Sequence, residues 1–173
     1  MKVIGLQNKK VKLSPYNSVW EKIYKKEEKL LRPIIKKYGL DIQHIGSTSI
    51  PGSRAKPIID IAVGVNNLKD GKKLIKPLNK LGYKCKHDAS IEKRYFFTKG
   101  NKTHTTHHLH IEKLNSRLWK YQIIFREYLK KHKKAVEEYN ELKEILADKY
   151  KNDRKKYVAG KDSFIKNIIK KAK

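Results

Sequence analysis

Residues 44–63 read His-Ile-Gly-Ser-Thr-Ser-Ile-Pro-Gly-Ser-Arg-Ala-Lys-Pro-Ile-Ile-Asp-Ile-Ala-Val. In this stretch a Gly-Ser pair, Gly46 and Ser47, ends one apolar segment and opens a loop of small and hydroxyl residues. Such residues let a backbone approach a phosphate closely and offer it N–H and O–H donors. Asp60 follows on the next apolar segment, where a carboxylate can hold magnesium against the same phosphates. The pattern is typical of a nucleotide site.

Asp60 lies within a segment, residues 58–65, that the sequence predicts to be a central β-strand. Alternation places Ile58, Asp60 and Ala62 on one face of this strand and only apolar residues on the other. A strand that is apolar on one face and nearly so on the other is typical of the interior of a sheet. A carboxylate there is costly unless it is paired or bound to a ligand. We therefore expect Asp60 to have a functional role.

The chain is strongly basic, with 43 lysine and arginine residues against 17 aspartate and glutamate residues and a formal net charge of +26. A positive surface attracts polyanions and steers phosphates toward clefts. The composition therefore favours a nucleotide, RNA or another polyanion as partner. Lysine dominates over arginine, and no dense basic block alternates with aromatic residues. A lysine-rich surface without a dedicated nucleic-acid site is therefore the alternative.

The length of 173 residues predicts a single domain over 1–173, with a sheet core at about 40–113 and C-terminal helices at about 117–173. No stretch approaches the roughly 18 apolar residues that cross a membrane, and no secretory signal is visible. The single cysteine, Cys85, excludes an internal disulfide and fits a reducing compartment. We therefore expect a cytoplasmic protein with no membrane partner. The sequence does not indicate an oligomeric state.

Apolar periodicity predicts an α+β fold in which one helix precedes a group of strands and further helices follow. The predicted helices start at Asn17 or Ser18 and end at Gly39, cover 68–81, 118–131 and 133–150, and include a last one capped by Asp162 or Ser163. The predicted strands are 41–45, 58–65, 83–86, 94–98 and 104–112. This order indicates a small mixed sheet with helices packed on one face and a helical C-terminal region.

Histidines are concentrated in the predicted strand 104–112. Alternation puts His108, His110 and Glu112 on one face, together with His104 and Thr106. Such a face can bind zinc, but residues two apart on a strand are roughly 6.5–7 Å apart, so a metal needs further ligands from elsewhere. The preferred interpretation is a polar cleft surface whose imidazoles donate to phosphate or substrate oxygens, and a solvated sheet face is the alternative. Glu112 joins Asp60 if the two strands are neighbours.

Several segments occur in the order that characterises one protein family. They are Tyr16 to Trp20, His44-Ile-Gly-Ser-Thr-Ser-Ile-Pro-Gly, Ala55-Lys-Pro-Ile-Ile-Asp-Ile, Arg94-Tyr-Phe-Phe, His107-His-Leu-His-Ile, Phe125-Arg-Glu-Tyr-Leu, Tyr139-Asn-Glu-Leu-Lys and Lys161-Asp-Ser-Phe-Ile. In these segments, which extend over almost the whole chain, the protein resembles the GrpB family, also called UPF0157, within the nucleotidyltransferase superfamily. The hydroxyl-rich loop followed by Lys-Pro and the aspartate is the most specific part of the resemblance.

The resemblance implies a polymerase-β-like nucleotidyltransferase core. It also implies that Gly46 and Ser47 belong to a phosphate-contacting turn and that Asp60 matches the first metal-binding aspartate. The superfamily usually has a second carboxylate two positions later, where this chain has Ala62. Two-metal phosphoryl transfer uses acids to hold two ions roughly 3.5–4 Å apart, and Asp60 alone cannot do this. The resemblance therefore leaves both an enzyme and a binding protein open.

The first hypothesis is an enzyme that transfers a nucleotidyl group from a nucleoside triphosphate to an unidentified acceptor, with Mg²⁺ or Mn²⁺ as cofactor. The residues expected to contact the phosphates or offset their charge are Gly46, Ser47, Thr48, Ser49, Lys56 and Arg94. The residues expected to hold the metal are Asp60 and Glu112, and His108 and His110 are expected to act as base or to position the acceptor. The alternative hypothesis is a non-catalytic module that binds a nucleotide or RNA.

Overall fold

The structure is a computed structural model that describes residues 3–87 and 93–173. Within these residues the strands are β1 (Leu6–Gln7), β2 (Gly39–Ile45), β3 (Ile59–Val65), β4 (Tyr83–His87), β5 (Arg94–Gly100) and β6 (His104–Lys113). The α-helices are α1 (Val19–Ile35), α2 (Gly71–Lys80), α3 (Arg117–Lys131), α4 (Lys133–Lys149), α5 (Arg154–Ala159) and α6 (Asp162–Lys171). Short 3-10 turns follow β2 at Ser47–Ser49 and precede α2 at Leu68–Asp70. The predicted mixed α+β order is confirmed.

The strands form one mixed sheet in the order β2-β3-β6-β5-β4, and β1 pairs with the beginning of β6. At its centre β3 and β6 run parallel, whereas β2 with β3, β6 with β5 and β5 with β4 are antiparallel. The parallel register sets Asp60 beside His108 and Ala62 beside His110. Two segments that are far apart in the sequence thereby supply neighbouring side chains to the same face of the sheet.

Helices α1 and α2 close one face of the sheet. Ile59, Ile61 and Val63 of β3 have no exposed surface, and they pack in one core with Leu31 of α1 and Leu78 of α2. Full burial of an aliphatic side chain stabilises a fold by roughly 1.5–3 kcal/mol, so this core holds the two helices on the sheet. The alternate residues of β3, including Asp60, are left for the opposite face.

The C-terminal helices lie on that opposite face. Trp119 of α3 packs against Ile45 and Ala62 of the sheet, while Leu129 and Ile168 belong to a further core between α3, α4 and α6. The C-terminal region predicted from the sequence is therefore a second helical layer that covers part of the sheet. Within residues 3–87 and 93–173, none of the helices combines the length and the apolar character needed to cross a membrane.

Several elements differ from the sequence prediction. Gly39 was predicted to end α1, but α1 ends at Ile35 and Gly39 is the first residue of β2. Glycine fits at this position because a Cβ there would lie 2.9 Å from the Ile35 Cβ. The predicted helix 68–81 starts as a 3-10 turn, which Asn67 caps by accepting a hydrogen bond from the Lys69 N–H. Helix α5 was not predicted, because six residues are too few to give a periodic apolar pattern.

A buried acid on α1 connects this helix to the outer strands of the sheet. Glu27 is 6% exposed and accepts hydrogen bonds from the Tyr83 hydroxyl at 3.0 Å and from Lys99 Nζ at 2.7 Å. His107 Nε2 lies 3.9 Å from the other Glu27 oxygen. Burial lowers the pKa of His107 to about 4, so this ring is neutral at physiological pH. The cluster fixes α1 over β4 and β5 because the buried carboxylate is stabilised only where these donors meet.

Glu27→Ala is expected to lower the free energy of unfolding by about 3 kcal/mol, because Lys99 and Tyr83 lose their partner inside the protein. Urea denaturation measures the loss. Glu21→Ala is the matched control, since Glu21 forms an ion pair with Lys25 on the same helix with side chains 59% and 65% exposed, and we expect little change there. Equal losses in both variants would contradict a stabilising role for the buried cluster.

Candidate functional site

A cleft of about 1040 Å³ opens between the second face of the sheet and the C-terminal helices. The sequence-predicted site residues that line it are Gly46, Ser47, Thr48, Lys56, Asp60, Arg94, His108 and His110. Ser49 and Glu112 are not among the lining residues. The helices contribute an apolar and aromatic wall that includes Leu118, Tyr121, Phe125, Tyr139, Tyr157, Ile165 and Ile169. The structure therefore brings most of the predicted residues together in one place.

The turn after β2 is packed directly against Asp60. Gly46 has a φ of 70°, in the left-handed region that favours glycine. A Cβ at this position would lie 2.6 Å from Asp60 Oδ2, so glycine is required for the contact as well as for the backbone conformation. The hydroxyl-rich turn and the acid of β3 thus converge on the same end of the cleft.

The three hydroxyl residues of the turn have different roles. Ser49 donates a hydrogen bond to the Gly46 carbonyl at 2.6 Å and closes the turn. Thr48 Oγ1 lies 3.0 Å from Nε2 of His44, which is buried and stacked on Tyr24. Burial lowers the pKa of His44 to about 4, so this contact is between neutral groups. Ser47 lies at the surface of the cleft, where its hydroxyl can donate to a ligand.

Asp60 and His108 form the central pair of the cleft. His108 Nδ1 lies 2.8 Å from Asp60 Oδ1, across the parallel pair of β3 and β6. Burial opposes ionisation of Asp60, but the hydrogen bond and the charge of His108, with smaller contributions from His110 and Lys56, outweigh burial, and the pKa of Asp60 falls to about 2. An ionised Asp60 requires a donor, so His108 carries its proton on Nδ1. The other ring nitrogen, Nε2, is thereby left to contact a ligand.

His110 lies beside this pair and forms part of the cleft floor. Its ring stacks on Phe96 with a centroid separation of 5.0 Å. Burial, together with the charge of Arg94, lowers the pKa of His110 to about 3, so the ring is neutral at physiological pH. In the part of the chain that the structure describes, its buried Nδ1 has no hydrogen-bond partner. Buried polar atoms are rarely left unpaired, so this nitrogen is a contact point for a ligand or a water molecule.

Two lysines line the cleft around Tyr157, and one of them, Lys56, interacts with the charge of Asp60. The ammonium groups of Lys56 and Lys161 lie 5.4 and 4.8 Å from the centre of the Tyr157 ring. Burial and the charge of Lys161 lower the pKa of Lys56 to about 8. Over residues 3–87 and 93–173, neither ammonium forms an ion pair within 4.0 Å. Both lysines are therefore able to bind an anionic group. Sequence analysis assigned Lys56 but missed Lys161 and Tyr157.

Helix α4 holds the segment that connects the turn to Lys56. Asn140 donates to the Gly52 carbonyl at 2.9 Å and accepts from the Arg54 N–H at 2.8 Å. Lys143 is 1% exposed and donates to the Ser53 hydroxyl at 2.7 Å and to the Arg54 carbonyl. Sequence analysis did not assign these two residues to the site. The available signal was their spacing of three, which puts both side chains on one face of a helix.

Glu112 is not brought to Asp60. The parallel register places Glu112 beside Gly64, four residues beyond His108, which is about 13 Å along the strand. Glu112 is also fully buried, and Gln122 Nε2 lies 2.8 Å from each of its carboxylate oxygens. Burial raises the pKa of Glu112. Glu112 and Asp60 are therefore too far apart along the strands to share a metal ion, and this expectation from the sequence is wrong. Alternation predicts which face of β6 a residue lies on, but it does not predict the register between β6 and β3.

Any magnesium ion in this cleft has to fit the oxygen atoms that are present. Among the described residues no group of three or more His, Cys, Asp or Glu side chains is arranged to hold a metal ion. Asp60 Oδ2 is the carboxylate oxygen that His108 leaves uncommitted, and it faces the turn at Gly46. Magnesium commonly takes one or two carboxylates and completes its shell with substrate phosphates and water. The residues therefore fit an ion that enters with a nucleotide better than one held by the protein alone.

These features define an α+β protein with an Asp–His pair in a basic cleft edged by hydroxyl groups. A family model described as GrpB protein matches residues 10–171, and the chain belongs to this family. It is 36% identical to the "Glutamate-rich protein GrpB" of Alkalihalophilus pseudofirmus, over 96% of this chain and 98% of that protein. It is 33% identical to the "UPF0157 protein YqkA" of Bacillus subtilis, over 95% of this chain but only 48% of that protein.

A solved structure is similar over nearly the whole chain. The crystal structure of conserved protein GrpB from Enterococcus faecalis superimposes with a TM-score of 0.84 at 32% identity, and the match covers 93% of this chain and 96% of that one. Membership of the GrpB family, predicted from the motifs, is therefore confirmed. Assignment to the nucleotidyltransferase superfamily stays a prediction.

Gly46→Ala is expected to lower the free energy of unfolding by about 1–3 kcal/mol more than Gly52→Ala does. Both glycines have positive φ values, 70° and 78°, so each variant carries backbone strain. Only at Gly46 does the added Cβ meet Asp60 Oδ2, at 2.6 Å, whereas the nearest atom to a Cβ at Gly52 is 3.8 Å away. Urea denaturation of the two variants gives the comparison. Equal losses would show that the turn does not press on Asp60.

The lowered pKa of Asp60 predicts how acid weakens the fold. Its folded pKa of about 2 lies below the ordinary value of 3.8, so the ionised carboxylate contributes about 2 kcal/mol of stability above pH 4. This contribution is lost as the pH falls through 2. Asp60→Asn is therefore expected to be less stable than the wild type at pH 6, with the difference shrinking toward pH 2. Urea denaturation across this range measures it, and a pH-independent difference would contradict the prediction.

Proposed function

We propose that the protein binds a nucleoside triphosphate by its phosphates in the cleft and transfers the nucleotidyl group to an acceptor, with magnesium as cofactor. The observation that carries the proposal is the direct contact between the Gly46 turn and Asp60, which join phosphate-binding groups and an acid at one end of a cleft. A polymerase-β-like core is the fold that this function implies.

The charge of the cleft favours an anionic substrate. The basic residues that line it are Lys56, Lys93, Arg94, Lys113, Arg117, Lys161 and Lys166. The acids among the same lining residues are Asp60 and Asp162, and Asp162 pairs with Lys166 at 3.3 Å. An excess of cations in a cleft focuses the electric field and raises the local concentration of phosphate-bearing ligands.

The phosphates are proposed to lie at the end of the cleft next to Gly46. Ser47 donates a hydrogen bond to them, and Lys56 and Lys161 offset their charge. Asp60 would hold magnesium together with the phosphates, and the ion would supply additional positive charge against the departing pyrophosphate. Because the lysines have no carboxylate partners, as described above, phosphate binding does not have to break an existing ion pair.

His108 is the proposed base. Asp60 holds its ring through the 2.8 Å contact to Nδ1, and Nε2 takes the proton from an acceptor hydroxyl. The acceptor oxygen attacks the α-phosphorus of the nucleotide and forms the new P–O bond. The P–O bond to pyrophosphate breaks, and pyrophosphate leaves with the electron pair of the bridging oxygen. The proton on His108 then passes to solvent or to the leaving group.

A non-catalytic module that binds a nucleotide or RNA is the second candidate, and one observation favours it. The residue two positions after Asp60 is Ala62, and Glu112 lies about 13 Å away along β6. Neither position supplies a second carboxylate beside Asp60, as two-metal transfer requires. In this alternative the basic cleft binds phosphates and no bond is broken.

Asp60→Asn is expected to lower nucleotidyl transfer at least about 100-fold while it leaves nucleotide affinity within about threefold, because the acid acts on the reaction more than on binding. The assay incubates the purified chain with α-³²P-labelled nucleoside triphosphates, Mg²⁺, pooled RNA and a metabolite extract, and calorimetry gives the affinity. Asp162→Asn is the matched control: it makes the same exchange at a lining carboxylate without a proposed catalytic role, and near wild-type transfer is expected.

Undiminished transfer by Asp60→Asn would reject the role of this acid. A wild-type protein that binds nucleotide with steep salt dependence but transfers nothing would favour the binding module. In that case Lys56→Gln should weaken binding, whereas Asp60→Asn should retain it. The two candidates are therefore distinguished by whether nucleotidyl transfer occurs and by which substitution has an effect, Asp60→Asn on transfer or Lys56→Gln on binding.

A further inference from the structure

The cleft extends well beyond the groups proposed to hold the nucleotide phosphates. Asp60 lies beside His108, whereas Arg94 lies opposite Glu112, four residues further along β6 and on the other side of that strand. With about 3.3 Å per residue and about 4.8 Å between strands, the backbones of Asp60 and Arg94 are about 16 Å apart. The volume of about 1040 Å³ also lies at the upper end of the range for a single small ligand, roughly 300–1,000 Å³. The cleft therefore has room for a second ligand.

The far end of the cleft is a second positive region. Arg94, Lys113 and Arg117 line it together with Ser116, the residue that caps the N-terminus of α3 and accepts a hydrogen bond from the Trp119 N–H. The first turn of a 15-residue helix such as α3 adds partial positive charge at this end.

Glu112 lies opposite Arg94 in the register of β5 and β6, but its carboxylate is turned away from the cleft surface. Glu112 is fully buried and its carboxylate oxygens are occupied by Gln122, so the carboxylate is withdrawn from the cleft surface. Burial raises the pKa of Glu112. An anionic group at the far end therefore meets basic side chains and a helix N-terminus without competition from this acid.

An apolar surface separates the two positive ends. Phe96 lies opposite His110 in the register of β5 and β6, and the two neutral rings stack on the cleft floor. Phe125 of α3 and Ile165 of α6 line the cleft from the helical side. Flat aromatic surface and aliphatic side chains favour an aromatic or apolar ligand body over a highly hydrated one.

We propose that the far end, formed by Arg94, Lys113 and Arg117, is the acceptor subsite, and that the acceptor carries a phosphate or carboxylate joined to an aromatic or apolar body. The anionic group binds at Arg117 and the body lies over Phe96, which directs the other end of the molecule toward His108. The assignment as an acceptor rests on the proposed nucleotidyl transfer. The existence of a second anion-binding subsite rests only on the shape and charge of the cleft.

The test is calorimetric titration of the full chain with phenyl phosphate, benzoate and benzyl alcohol, in the presence of saturating ATP and Mg²⁺. The anionic aromatic probes are expected to bind alongside ATP, and the neutral alcohol at least about tenfold more weakly. Arg117→Gln should weaken the preferred anionic probe at least about tenfold, since it removes a charge-assisted contact. Lys170→Gln is the matched control: Lys170 is exposed on α6 and does not line the cleft, and its loss changes the net charge equally.

The arms of the experiment separate the possible sources of failure. A stronger response to phenyl phosphate than to benzoate, or the reverse, identifies the anionic group. If ATP does not bind but phenyl phosphate still depends on Arg117, the subsite stands and the nucleotide proposal fails. The subsite is overturned if neither anionic probe binds at millimolar concentration, if the probe displaces ATP, or if Arg117→Gln and Lys170→Gln have equal effects.

Discussion

The hydrogen bond between Asp60 and His108 is the interaction on which the candidate site depends. It spans β3 and β6, and it keeps a carboxylate ionised on a strand whose neighbouring residues are almost wholly buried. The hydrogen bond from this donor is the largest of the contributions that lower the pKa of Asp60 against the effect of burial. The same contact fixes the His108 ring, and the second carboxylate oxygen fixes the place of the Gly46 turn. One hydrogen bond thus positions the acid, the imidazole and the hydroxyl-rich turn.

The C-terminal helices convert this sheet face into a cleft, and α4 does so with unusual polar contacts. Lys143 is buried without an ion pair in the described part of the chain, and burial with the nearby charge of Lys161 lowers its pKa to about 7. The Ser53 hydroxyl, the Arg54 carbonyl and the Tyr139 ring, 4.3 Å from the ammonium, compensate for the lost hydration. A buried lysine is rarely the most stable residue for a core position. We infer that Lys143 is present because its contacts hold the segment before Lys56 in place.

The sequence predicts features that depend on neighbouring residues better than features that depend on residues far apart in the chain. Strand alternation is local, so it correctly put Asp60 on one face of β3, and His108 and His110 on one face of β6. Register between strands distant in sequence is not local, and for this reason Glu112 was placed too near Asp60. Lys161 and its contact with Tyr157 were missed because α5 is short and its approach to Lys56 depends on tertiary packing.

The packing of α3 also explains why a second carboxylate is missing beside Asp60. Ala62, the position two residues later, is 1% exposed and lies under Trp119. A carboxylate there would be desolvated by the indole and would lie beside the neutral His110 ring of the neighbouring strand. Positive charge near Asp60 comes instead from Lys56, and Lys161 acts on Lys56 in turn. Preorganised cations stabilise developing phosphate charge without a second ion, so the proposed transfer relies on one metal ion together with these lysines.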